Sequence, residues 1–191
     1  MDTDGRHASD HDGDHVYEAL IVGSGFGGQS AAIRLGEAGV SDLVILERRD
    51  FMGGTWCQNS YPGAAVDVQS HLYSLSTDPY PWTRLFAERD ELKDYTEHIL
   101  DTHDLRRRIR TGENVTVMRW DDENALWRVE TEAGHTYRAR VVVNASGPLS
   151  TAVVPPFPGR ESFAGDQFHT NDWDHSVDLR GKRVAVVGSG A

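Results

Sequence analysis

The stretch Ala19-Leu20-Ile21-Val22-Gly23-Ser24-Gly25-Phe26-Gly27-Gly28 decides the expected fold of this chain. The apolar run from Ala19 to Val22 predicts a strand, and the alanine-rich segment from Gln29 to Ala38 predicts a helix. The glycines between them follow the spacing Gly-x-Gly-x-x-Gly, which lets a backbone turn approach a pyrophosphate closely. A chance glycine-rich turn is the alternative. The flanking strand and helix favour a dinucleotide-binding βαβ unit.

A second apolar run, Leu43 to Leu46, completes this βαβ unit and ends at Glu47. The acid stands about 20 residues beyond the glycine turn, as the dinucleotide motif requires. A carboxylate at this place accepts hydrogen bonds from a ribose 2′-hydroxyl and repels a 2′-phosphate. The site is therefore expected to take FAD or NAD rather than NADP.

Composition narrows the class of protein. The 191 residues suffice for one domain or for one and a fraction. The formal net charge of −11 argues against non-specific nucleic-acid binding, which needs a basic face. One cysteine, Cys57, allows neither an internal disulfide nor a cysteine-based metal cluster. The single cysteine fits a reducing cytosol, no apolar run approaches the roughly 18 residues of a membrane span, and the acidic N-terminus is unlike a signal peptide. A cytoplasmic protein is therefore expected.

The first fifteen residues are predicted to be a disordered acidic tail, because they are rich in aspartate and have no apolar period. His7, His11 and His15 alternate with these aspartates. A metal site is the alternative here, but a solvated tail is favoured and no metal site is predicted.

The remainder of the chain alternates between loops and regular elements. Residues 48–78 have little periodicity and many Gly, Trp, Tyr and Pro residues, which favours a cofactor-binding loop over a surface excursion. Residues 88–103 predict an amphipathic helix. Short strands at 115–120, 126–131 and 135–139 predict a β-meander inserted between parallel strands, and residues 140–144 predict a buried parallel strand. Residues 182–191 repeat the strand and glycine-turn pattern, where the sequence stops.

Several motifs have a recognisable family resemblance. Phe163-Ala-Gly165-Asp-Gln-Phe-His169-Thr-Asn-Asp-Trp173-Asp174 matches the pattern Phe-x-Gly-x-x-x-His-x-x-x-Trp followed by Pro or Asp. Gly53-Gly-Thr-Trp56 and the loop from Asn59 to Ser74 are similar to a flavin-lining loop, and Asn144-Ala-Ser-Gly147 is similar to an Ala-Thr-Gly stretch with serine for threonine. With both glycine fingerprints, the chain from about Tyr17 to Ala191 resembles class B flavoprotein monooxygenases, and Baeyer–Villiger monooxygenases most of all.

The resemblance implies an α/β fold in which residues 16–150 form a Rossmann-like FAD-binding domain with a β-meander insert. Residues 151–180 would be a linker, and residues 181–191 would start a second Rossmann domain that binds NADPH. The implied reaction inserts one oxygen atom from O₂ into a ketone. The cofactor-binding residues implied by the resemblance are Gly23, Gly25, Phe26, Gly27, Gly28, Glu47, Gly54, Thr55, Trp56, Tyr61, Asp67, Val117, Ala145, Gly147, Gly188 and Gly190.

The resemblance also gives roles to individual residues. Asp67 would be the catalytic aspartate, which orients an arginine that is absent from this sequence; an ordinary Asx turn is the alternative. A separate set of residues would couple the two domains, and simple packing of the linker is the alternative for them. The set comprises Phe163, Gly165, His169 and Trp173.

Three other functions fit parts of this sequence. A related flavin monooxygenase would oxidise nitrogen or sulfur, and a non-catalytic remnant would bind FAD or nothing. An NAD dehydrogenase would need neither the long loop nor the second fingerprint. Because the second fingerprint is incomplete, the 191 residues alone are expected to be inactive in oxygenation.

Overall fold

The computed structural model describes residues 15–188. The expectations for residues 1–14 and for Gly190 therefore lie outside the described residues. The chain divides into two compact units. Of the described residues, 15–54 and 96–148 form the first unit, and 55–95 and 149–188 form the second.

The first unit is built on a six-stranded sheet. Its strands in chain order are β1 (Val16–Val22), β2 (Leu43–Leu46), β3 (Ile109–Arg110), β4 (Val115–Asp121), β5 (Leu126–Thr131) and β6 (Thr136–Asn144). They lie in the order β3-β2-β1-β6-β5-β4. Strand β1 pairs in parallel with both β2 and β6, whereas β5 pairs antiparallel with β4 and β6. The predicted α/β fold with a parallel sheet and a meander is confirmed.

Helix α1 (Phe26–Glu37) connects β1 to β2. It begins three residues before the predicted start at Gln29, because the last glycines of the turn already belong to its first turn. The low helix propensity of glycine hides this start from sequence reasoning.

Strand β6 corrects two predictions. The strands expected at 135–139 and 140–144 are one continuous strand, because a strand has two edges and each finds a different partner. Residues 136–139 pair with β5, and residues 138–144 pair with β1. The expected burial is also wrong, since Val141 is 49% exposed and Asn144 is exposed. Successive side chains point to opposite faces, so Val141 and Asn144, three positions apart, lie on opposite faces, and neither face of this part of β6 is fully covered.

The core of the first unit joins the parallel strands to the meander. Leu20, Val44 and Leu46 are at most 1% exposed and belong to one apolar cluster with Val129 and Tyr137 of the meander. This burial holds β1 and β2 firmly beneath the glycine turn that follows β1.

The second unit contains the short helix α2 (Thr55–Gln58) and the beginning of helix α3 (Arg89–Thr102). Its core consists of Val66, Ala87 and Leu92, against which the rings of Trp56 and Trp82 pack. The helix predicted at 88–103 is confirmed to within one residue at each end.

Residues 182–187 do not form the strand that the sequence predicts. A strand needs a hydrogen-bonded neighbour, and none is present for this segment among the described residues. Val186 and Val187 are 80% and 71% exposed. In the described part of the chain, no helix has the length and apolar character needed to cross a membrane.

Candidate functional site

The turn between β1 and α1 accepts only glycine at two of its positions. Gly23 has a φ of +99°, and a Cβ atom there would lie 2.6 Å from the carbonyl oxygen of Ala145. A Cβ atom on Gly28 would lie 1.9 Å from the carbonyl oxygen of Gly23. The turn is thus tight at Gly23, and at Gly28 helix α1 packs directly against the backbone of Gly23.

Gly25 differs from the other two glycines of the motif. The nearest atom to a Cβ placed on Gly25 is the Cα of Gly54, at 3.6 Å, which is ordinary contact. Gly25 is the residue before α1, and no side chain at this position accepts a hydrogen bond from the first N–H groups of the helix. A helix cannot satisfy its own first-turn N–H groups, and such groups with the helix dipole attract anions. This side of the turn suits a phosphate group.

Glu47 stands at the end of β2 with 7% of its surface exposed. Its Oε2 atom accepts hydrogen bonds from the N–H of Ser24 at 3.0 Å and from the hydroxyl of Ser24 at 2.6 Å. Its Oε1 atom accepts the N–H of Arg49 at 3.0 Å. An ionised carboxylate has about four acceptor positions, so these three bonds leave capacity for one further donor such as a ribose hydroxyl.

The end of β6 lies against the glycine turn. The N–H of Ala145 donates to the carbonyl of Val22 at 2.9 Å, and the Cβ of Ala145 lies 3.5 Å from the position of a Cβ on Gly27. The structure thus brings together two stretches that the sequence identified separately. Gly147 follows and is exposed.

A second glycine pair reaches the same turn. The N–H of Gly53 donates to the hydroxyl of Ser24 at 3.0 Å. Gly54 has a φ of +70°, and a Cβ there would lie 2.6 Å from the Cα of Gly25. Sequence reasoning missed Ser24, although a hydroxyl between two motif glycines is a visible signal.

Phe26 and Val117 complete the candidates of the first unit. Phe26 is half-buried at the start of α1. Val117 is half-buried on β4, opposite Glu130 of β5. The assignment of both side chains to a cofactor stays a prediction.

Trp56, the aromatic candidate of the second unit, is held in place by hydrogen bonds and ring contacts. The indole N–H of Trp56 donates to the hydroxyl of Tyr73 at 3.3 Å, and the rings meet edge to face at 5.9 Å. The guanidinium of Arg89 donates to the carbonyls of Trp56 and Cys57 at 3.0 and 3.3 Å. Arg89 fixes the backbone of α2, and sequence reasoning did not identify it. Two further candidates are Thr55, which is exposed, and Tyr61, which is half-buried.

Asp67 is exposed in the loop of the second unit. It has neither a hydrogen bond nor an ion pair among residues 15–188. The Asx turn that the sequence left open is therefore not formed there. The carboxylate is available to a cation or hydrogen-bond donor.

The residues of the proposed coupling signature make local contacts in the second unit. His169 Nδ1 accepts the N–H of Asn171 at 3.0 Å and so caps the 3-10 helix Thr170–Asp172. The ring of Trp173 meets the ring of Phe168 edge to face at 5.0 Å. A Cβ on Gly165 would lie 2.6 Å from the ring of Phe163, which is itself 62% exposed.

The end of this signature is also held by hydrogen bonds. The hydroxyl and N–H of Ser176 donate to Asp174 at 2.6 and 2.9 Å and lower the pKa of the Asp174 carboxyl. His175 Nε2 lies 2.8 Å from the hydroxyl of Ser60, a contact that the sequence did not predict. Gly188, the last described residue, is exposed.

Comparison with known proteins places this geometry in a family. Residues 20–191 match the family described as pyridine nucleotide-disulphide oxidoreductase. A protein of Streptomyces coelicolor named Baeyer-Villiger monooxygenase is 50% identical over 179 residues, which cover 93% of this chain and 34% of the relative. The chain thus spans about a third of the length of such relatives.

Solved structures agree with this match. Cyclohexanone monooxygenase from Rhodococcus sp. Phi1 bound to NADP⁺ has a TM-score of 0.84 at 39% identity, covering 92% of this chain and 34% of that one. OTEMO in complex with FAD and NADP has a TM-score of 0.81 at 30% identity, covering 91% of this chain and 35% of that one. The chain therefore belongs to the pyridine nucleotide-disulphide oxidoreductase family, and its similarity to proteins named Baeyer–Villiger monooxygenase confirms the resemblance inferred from its motifs.

Proposed function

We propose that this chain holds FAD at the glycine turn of its first unit, as part of a monooxygenase of the Baeyer–Villiger type. The observation that supports this most directly is the contrast within the turn. Gly23 and Gly28 are closed in by backbone atoms, whereas a Cβ on Gly25, just before the start of a helix, would meet only the Cα of Gly54, at the ordinary contact distance of 3.6 Å. Such a turn leaves one side free for a diphosphate.

The residues present fit FAD better than NADP at this turn. Glu47 is buried at the end of β2 with acceptor capacity left for a ribose hydroxyl, and its negative charge disfavours a 2′-phosphate. FAD, when bound, supplies the redox chemistry by which O₂ is reduced and one oxygen atom enters a substrate. The protein supplies binding, orientation and exclusion of water.

Other residues have proposed roles by match to the family. Trp56 is held by Tyr73 and Arg89, so its ring is a rigid surface for a flat group. Asp67 would orient an arginine, and its exposed carboxylate, which has no partner between residues 15 and 188, is suited to that role. Gly188 would open a turn for NADPH. His169 and Trp173 would couple the two cofactor-binding domains.

The substrate class rests on the relatives. The names Baeyer-Villiger monooxygenase and cyclohexanone monooxygenase favour a ketone as substrate, with NADPH as reductant and O₂ as co-substrate. Since the chain spans about a third of such relatives, oxygenation is proposed for the longer type of protein. The 191 residues alone are expected to bind FAD without oxidising NADPH in the presence of a ketone.

Titration with FAD tests this function. Addition of the purified chain should change flavin fluorescence with a saturable, equimolar end point. Replacement of Gly25 by alanine should weaken FAD about tenfold, because the new methyl group enters the space proposed for the diphosphate. The backbone of Gly25, at φ −71° and ψ −173°, accepts alanine without strain, so the variant should fold.

Gly36 provides the matched control. It lies in the helix that follows Gly25, and apart from the helix's own backbone no atom lies within 4 Å of a Cβ there, so Gly36→Ala should leave FAD affinity unchanged. Equal affinity of wild type, Gly25→Ala and Gly36→Ala would refute the site, and no binding by the wild type would refute the function. Oxidation of NADPH with cyclohexanone by this chain would contradict the expected inactivity.

A further inference from the structure

Ser24 lies at the centre of the first unit's glycine-rich region and is 0% exposed. Its hydroxyl donates to Glu47 Oε2 at 2.6 Å and accepts the N–H of Gly53 at 3.0 Å. Its own N–H donates to the same carboxylate oxygen at 3.0 Å. One side chain thus joins three segments that are 23 and 29 residues apart in sequence.

The two bonds use the hydroxyl in a way that an apolar residue cannot reproduce. A serine hydroxyl has one hydrogen and two acceptor positions. The hydrogen is directed to a buried carboxylate, and hydrogen bonds to charged groups are the stronger kind. The acceptor side fixes Gly53, whose neighbour Gly54 lies so close to Gly25 that a Cβ would reach its Cα at 2.6 Å.

We propose that Ser24 is a positioning residue for the dinucleotide site. It holds the Glu47 carboxylate in the orientation that receives the adenosine ribose, and it holds Gly53 and Gly54 against the turn that receives the diphosphate. This inference rests on the proposed function, because it concerns the same site. The motif specifies glycines around this position but leaves the position itself open, so the role follows from the contacts alone.

A double-mutant cycle on FAD affinity tests the proposal. The variants are Ser24→Ala, Glu47→Gln and their combination, with FAD binding followed by flavin fluorescence on the full chain. Ser24→Ala should weaken FAD about 10- to 100-fold, the range for a lost hydrogen bond to a charged group. In the Glu47→Gln background the same change should cost much less, because residues that act through each other are not additive.

Ser70 provides the matched control. It is also 0% exposed, and its hydroxyl donates to the carbonyls of Arg84 and Leu85 and accepts the N–H of Ala87. All its partners lie in the second unit. Ser70→Ala should therefore have the same effect on FAD affinity in the wild-type background as in the Glu47→Gln background, even where it lowers thermal stability.

The outcomes separate the inference from the function on which it rests. Absence of FAD binding by the wild type would overturn the proposed function and the inference with it. Binding by the wild type with additive effects of Ser24→Ala and Glu47→Gln would overturn the inference alone. If Ser24→Ala does not fold, Ser24→Cys replaces it, because cysteine keeps the shape of serine, with a somewhat larger terminal atom, and is only a weak donor. Amide exchange of Gly53 in the unliganded protein adds an independent readout, and unchanged protection in the folded variant would also refute the role.

Discussion

Replacement of Gly28 by alanine tests the close contact between α1 and the turn. The new Cβ would lie 1.9 Å from the carbonyl oxygen of Gly23 and 3.0 Å from its carbonyl carbon. Ordinary contact begins at 3.4 Å, and only the third neighbour, Ile21 Cγ2 at 3.5 Å, respects that distance. Both clashing atoms belong to the backbone, so no side-chain rotation relieves the overlap.

The expected loss follows from two opposing effects. Overpacking of a well-packed site costs about 1–3 kcal/mol, and the backbone clash places this change at the upper end. Alanine recovers up to about 1 kcal/mol of helix propensity. The free energy of unfolding should therefore fall by about 2 kcal/mol. For a chain of this length, that corresponds to a decrease of roughly 4–8 °C in the midpoint of thermal unfolding.

Circular dichroism during thermal and urea unfolding of the ligand-free chain measures this loss. Gly36→Ala, in the same helix but without neighbours near its Cβ, isolates the propensity effect and should raise the midpoint by roughly 2–4 °C. If Gly28→Ala is as stable as the wild type, α1 does not rest on the turn as described, and the geometric reasoning fails. If Gly36→Ala loses stability, the control is invalid and the difference between the two variants has no simple meaning.

Two further predictions concern charge. Burial, and to a lesser extent the Glu113 carboxylate, raises the pKa of Tyr137 above its ordinary value of 10.0. The folded protein therefore holds the phenol proton more tightly than the unfolded chain does. This contribution to the free energy of unfolding is complete below about pH 10 and is lost as the pH rises further. Between about pH 9 and pH 11, the free energy of unfolding should therefore fall less for Tyr137→Phe than for the wild type. If urea titrations show the same fall for both proteins, Tyr137 does not cause the pH dependence. Asp67→Ala should change the free energy of unfolding by less than about 0.5 kcal/mol, since the side chain is exposed and has no partner among residues 15–188; a larger change in urea unfolding would reveal a contact that the structure lacks.

Local sequence patterns predicted strands β1 and β2 and helix α3. The apolar run before Gly23 is β1, and the run before Glu47 is β2, because short apolar runs beside glycine turns have little alternative but to be buried strands. The periodic apolar positions of α3 were equally readable, since a helix repeats its buried face within a few residues.

The errors arose where pairing between distant segments decides the outcome. Strand β6 was predicted as two strands. Its first residues pair with β5 and its last residues pair with β1, and the amino-acid types along the strand give no sign of which strand each part pairs with. Residues 182–187 have the composition of a strand, yet no neighbour pairs with them in the described part of the chain. The strand propensity of a residue reflects how well its side chain packs on a sheet, so a segment without a neighbouring strand does not become a strand on propensity alone.

The sequence by itself determined where the backbone turns tightly and which acid ends the second strand, because glycine spacing and apolar runs act on neighbouring residues. Only the tertiary structure showed that Ser24 joins Glu47 to Gly53, that Gly54 lies against Gly25, and that Asp67 has no polar partner within the described part of the chain. These facts depend on which of many polar groups finds a partner once the segments are packed. That choice is made by distance and burial in three dimensions, and residues far apart in the chain give no local signal of it.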